Sequence, residues 1–111
     1  MSTLTCLGPG SIPFTVKFRS WVPLLTGHDC VTIRSTIYTR KRSLQRHTVA
    51  HEFAHVLQWR DLGVLGFLWR YLREQIAHGY SANRFEVEAH QYANAHETEF
   101  ASVYDKSVMS R

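Results

Sequence analysis

The hydrophobic and polar positions of this chain change period once, near residue 43. Before that point apolar residues alternate. Phe14-Thr15-Val16-Lys17-Phe18 carries an apolar side chain at every second position, which predicts a short strand over 14–18. Val31 to Tyr38 alternates Val31, Ile33, Ser35 and Ile37 against Thr32, Arg34, Thr36 and Tyr38. Its density of β-branched residues predicts a longer strand over 31–38. Gly8, Pro9, Gly10, Pro13, Pro23 and Gly27 punctuate the remainder of residues 1–28, which reads as irregular.

From Ser43 the spacing becomes helical. Leu44, Ala50, Phe53, Ala54 and Leu57 predict a helix over 44–62, capped by Ser43 and closed by Gly63. Leu65, Leu68, Trp69, Leu72 and Ile76 form one apolar stripe on a second helix, 65–77. In so short a chain that stripe is expected to pack into the core. A loop over 78–82 leads to Asn83, which starts a third helix over 84–100. Residues 101–111 lack a period and are expected to fray. The pattern predicts an α+β fold, with a small mixed sheet packed on about three helices, in one domain spanning 1–111.

Length and composition agree with this. A chain of 111 residues, 44% hydrophobic and 20% charged, can build one core and is not disordered. Net charge is +4, but the basic residues are dispersed except for Arg40-Lys41-Arg42 and nearby Arg46. That run reads as a solvated flank of the helix start; with no nucleic-acid motif beside it, no nucleic-acid partner is expected. Cys6 and Cys30 lack a CxxC spacing, which excludes a structural zinc knuckle, and a disulfide framework is not predicted. The start of the chain lacks the charged and apolar stretches of a signal peptide, and no run approaches the roughly 20 apolar residues of a membrane span. A soluble, cytoplasmic protein is expected; its oligomeric state is not legible.

The residues with chemistry are His51-Glu52-Phe53-Ala54-His55. Histidines four apart on a helix lie on the same face, so both imidazoles can reach one Zn²⁺. Glu52 can then stand beside the metal's open position and take a proton from the attacking water. Two histidines need a third protein ligand. Asp61, Glu74, His78, Glu86, Glu88, His90 and His96 all follow the motif. A third histidine of the metzincin kind is excluded, since Gln58 and Asp61 hold the positions where that class has glycine and histidine.

Glu86-Val87-Glu88-Ala89-His90-Gln91-Tyr92-Ala93 resembles the glutamate helix of the gluzincins, whose third ligand is a glutamate on a later helix. With His55-Val56-Leu57-Gln58, the chain is similar over about residues 30–100 to the minigluzincins and other small HExxH domains. The resemblance implies a zinc metallopeptidase binding one Zn²⁺ per chain through His51, His55 and Glu86, with Glu88 as the alternative. It implies Glu52 as general base and Tyr80 as a stabiliser of the oxyanion. His90 stands where the family has an Asp or Asn orienting a ligand histidine. An edge strand carrying Val31, Ile33, Ser35 and Ile37 would bind a peptide or unfolded protein substrate. Two alternatives stay open: Asn83 and Glu86 have the spacing of a capping box, and the metal could staple a binding or regulatory module that cleaves nothing.

Overall fold

The computed structural model describes residues 2–25 and 27–105. The architecture is mixed α+β: a four-stranded mixed sheet, two helices rather than three, and a second, two-stranded sheet. The main sheet is made from two hairpins. β1 (Ser2–Gly8) pairs antiparallel with β2 (Ile12–Phe18), and β3 (Cys30–Ile33) pairs antiparallel with β4 (Thr36–Thr39). β2 and β4 join them in parallel, giving the order β1-β2-β4-β3 and leaving β3 at one edge.

Two expectations change here. Part of the segment expected to be irregular is β1, because Gly8 to Ser11 makes a tight connection that folds it back on β2. The expected strand over 31–38 is instead a hairpin. Arg34 takes a left-handed φ of 59° and Ser35 sits in the turn, so Ile37 belongs to β4 and is buried. The inward residues of the edge strand therefore differ from the alternation read along the whole segment: Thr32 is buried and Ile33 is exposed.

α1 runs from Arg46 to His78. Its N-cap is Gln45, without a side-chain cap bond, while Ser43 lies in β5 (Ser43–Leu44). Gly63, at φ 74°, breaks the helical backbone inside α1 where the sequence places a helix end, and the chain bends there without leaving the element. Before that bend, Val49, Phe53 and Val56 join Phe14, Val16, Phe18 and Ile37 in the core between helix and sheet. Beyond it, Phe67 is buried and Tyr71 half-buried, while the apolar stripe faces outward, with Leu65 82% and Ile76 79% exposed. Core burial of that stripe is overturned, since the helix presents its Phe67 and Tyr71 side to Trp59 and Phe85 instead.

α2 (Arg84–His96) is shorter than expected and passes into a 3₁₀ turn at Glu97–Glu99. Ala89 and Ala93, both fully buried, keep its inner face small and let it lie close to α1. The chain then returns to pair β6 (Val103–Tyr104) with β5, and buried Asp105 meets Arg19 at 3.0 Å. Residues 101–105 are thus held in place; 106–111, the rest of the expected frayed tail, lie outside the described residues.

Phe53, inside the HExxH motif, packs against the sheet hairpin so tightly that a Cβ on Gly8 would lie 2.3 Å from its ring. Gly8→Ala is expected to force the ring or the β1 backbone aside and cost about 1–3 kcal/mol of stability. Urea unfolding of the two proteins measures this; equal midpoints would refute the close approach.

Candidate metal centre

The α1 turn that sends Val49, Phe53 and Val56 into the core turns His51, Glu52 and His55 away from it. These three could hold a metal ion, with one potential ligand atom of each within 4.8 Å of the others. Glu86 reaches the same place from the first turn of α2. Its Oε1 stands 3.2 Å from His51 Nε2 and 3.1 Å from His55 Nε2. Glu52 is farther away, with Oε2 4.0 Å from His51 Nε2. Glu52, His55 and Glu86 are buried, and His51 is half-buried.

Each of the three buried groups has a partner that orients it. Gln58 donates through Nε2 to the Phe85 carbonyl at 3.0 Å, which turns its Oε1 toward His55 Nδ1 at 2.8 Å. A carbonyl can only accept, so this amide orientation follows, and Nδ1 must carry the hydrogen. A neutral His55 then presents its Nε2 lone pair to a carboxylate oxygen. Two acceptors at that distance require a cation between them: a proton, or a metal ion. Thr32 Oγ1 donates to Glu52 Oε1 at 2.8 Å, and the Tyr71 hydroxyl donates to Glu86 Oε2 at 2.6 Å.

The ionisation equilibria fit this demand. Burial alone would raise the Glu86 carboxyl, but hydrogen bonds from His51, His55 and Tyr71 hold it well below the usual carboxylate range. Burial alone would lower His55, yet the Glu86 bond and the charges of Glu52 and Glu86 raise it. Burial and the Glu86 bond push the Tyr71 phenol up, so it remains a donor.

The other sequence candidates lie elsewhere. Glu88 is exposed and pairs with Arg84 at 3.1 Å, Glu74 accepts from the Arg84 backbone N–H, and His96 pairs with Glu99. Asp61 and His78 are exposed. His90 is exposed too, its ring centroid 6.3 Å from that of His51. Asn83 accepts from Phe85 N at 2.9 Å, so it caps α2 while the Glu86 carboxylate faces the histidines instead of completing a capping box. Tyr80 stacks on His28 at 4.3 Å and lines the cavity beside the site.

That cavity, about 480 Å³, has Glu52, His55 and Glu86 on one side and a largely apolar wall of Val31, Ile33, Trp59, Phe67 and Leu68. Val31 and Ile33 of the expected substrate strand border it; Ser35 and Ile37 do not. Sequence reasoning did not single out Thr32, Gln58 or Tyr71 for these roles. Only Gln58, three residues past His55 on the same helix face, carried a readable signal. The cysteines are not joined to each other; burial pushes the Cys30 thiol up to about 11. Among the described residues no helix is long and apolar enough to cross a membrane. Comparison with family models, curated proteins and solved structures returns no match.

Proposed function

We propose that this chain is a single-domain zinc-dependent peptide hydrolase, with His51, His55 and Glu86 as ligands of one Zn²⁺ and Glu52 as general base. The observation that carries the reading is the placing of Glu86 Oε1 at 3.1 and 3.2 Å from the two Nε2 atoms. Ligand atoms set tetrahedrally at about 2.0–2.1 Å from zinc stand about 3.3–3.4 Å apart, and these two contacts have nearly that spacing. Glu86 is nearer both nitrogens than Glu52 is, which leaves Glu52 for proton transfer. The likeness of the two motifs to those of gluzincins points the same way.

When bound, zinc supplies a water of lowered pKa, from 15.7 toward about 7, and polarises the scissile carbonyl. Glu52 takes the proton of the attacking water through one carboxylate oxygen while Thr32 Oγ1 holds the other, and passes it to the leaving amine. Tyr80, on the cavity rim, is the group proposed to stabilise the oxyanion. An extended substrate would lie along β3 with an apolar side chain in the cavity. The Thr32 carbonyl already accepts from Trp59 Nε1 at 3.1 Å, so other β3 groups would have to hold that strand.

Protein purified without chelator is expected to carry one zinc per chain by elemental analysis. At free zinc a thousandfold above Kd, the gain in stability over the chelator-treated protein is about 4 kcal/mol. His51→Ala and His55→Ala should abolish both effects, and a library of unstructured peptides should be cut only by the zinc form. Unchanged zinc content in the histidine variants would refute the site. Zinc without any cleavage would favour a metal-stapled binding or regulatory module.

A further inference from the structure

We propose that Tyr71 is a positioning residue of the metal centre, holding Glu86 so that a single carboxylate oxygen is offered to the ion. The inference rests on the reading above and adds a residue that the motifs do not contain. The Tyr71 hydroxyl meets Glu86 Oε2 at 2.6 Å, the length of a strong bond to an ionised acceptor. The other oxygen, Oε1, is the one turned to His51 and His55. A carboxylate fixed by one oxygen cannot rotate freely, and its bidentate mode is blocked.

The phenol is itself built in. Its ring lies 5.4 Å from Phe67 and 6.2 Å from Phe85, which fixes where the hydroxyl points. Its backbone carbonyl accepts from Asn83 Nδ2 at 3.3 Å, and the same fully buried Asn83 caps α2 at Phe85 N. Asn83 Nδ2 also meets Gln75 Oε1 at 3.3 Å, one turn further along α1. The segment of α1 beyond the Gly63 bend and the start of α2 are thereby tied into one unit. That unit sets the Tyr71 hydroxyl over the carboxylate three residues past the cap.

The test is zinc affinity, measured by competition with a chromophoric chelator, for wild type, Tyr71→Phe and Val16→Ala. Tyr71→Phe is expected to weaken zinc binding by about 10–100-fold, the usual effect of losing a group that orients a ligand. Val16→Ala loosens the buried sheet-side core, away from the Tyr71 cluster and Glu86, and should bind as wild type does. Equal losses in the two variants would make Tyr71 a packing residue and overturn the proposal. Wild-type affinity in Tyr71→Phe with a lowered kcat would overturn it too, assigning the phenol to the substrate. A wild type that binds no zinc would instead remove the reading on which the proposal stands. A readout without mutation is the ¹³Cζ resonance of Tyr71 in labelled protein. It should shift when zinc is added, as Glu86 exchanges its histidine contacts for the ion, and no shift would count against the bond.

Discussion

Glu52→Gln is expected to leave zinc content and fold unchanged and to lower peptidase activity by about 10²–10⁴-fold, the usual contribution of a positioned proton-transfer group. The amide has nearly the shape of the carboxylate, and its oxygen can still accept from Thr32 Oγ1, so the side chain should stay in place. What is lost is the proton acceptor alone. Initial rates on an unfolded protein substrate, at saturating zinc, provide the measurement. Undiminished cleavage by the variant would mean that the proton goes elsewhere and that the proposed mechanism is wrong.

Zinc affinity should separate the two glutamates of α2. Residues two apart on a helix point about 200° apart, and Glu86 faces the histidines while Glu88 faces solvent beside Arg84. Structural zinc sites in finger peptides bind with about 10–16 kcal/mol, so one ligand of four carries about 2.5–4 kcal/mol. Glu86→Gln is accordingly expected to weaken binding by about 10²–10³-fold. Glu88→Gln removes only an exposed i,i+4 pair and should change affinity by less than about twofold. The same competition titration ranks them, and the reverse order would transfer the ligand role to Glu88. Acid should weaken zinc binding as well. The His55 pKa is raised in the metal-free protein, so as pH falls through that value a proton occupies Nε2 and competes with the ion.

How much of this was legible depended on how far apart in sequence the partners lie. His51, Glu52 and His55 are fixed by one helical turn, so their common face followed from spacing alone. Glu86 was reachable because the motif around it carries its own pattern. The contacts that make the site work are of another kind. Thr32 meets Glu52 across 20 positions, and Tyr71 meets Glu86 across 15, with the end of α1 and the turn into α2 between the latter two. No local period encodes such pairings. The fold shows the same division. β2 was plain from alternation, whereas the break at Arg34 hid inside a run of β-branched residues, and β1 was masked by the glycines and prolines that serve its hairpin turn. The outward stripe of α1 misled for a different reason. A periodic apolar face says that a face exists, and its burial depends on what the rest of the chain brings to it.

The reach from His55 to Glu86 also bears on how the molecule comes apart. The two residues are 31 apart, and the chain between them is the outer part of α1 and the turn into α2. An ion gripping both ends would close that chain into a loop, as a cross-link does. In the chain-entropy model for cross-links a loop of that length is worth about 3.5–4 kcal/mol, drawn from the freedom of the unfolded chain. The sheet hairpins close over short turns and owe nothing to this loop. Chelation would therefore act unevenly, lowering the cost of local opening for α2 and the outer half of α1 more than for β1 to β4 and the first turns of α1, which keep their own core.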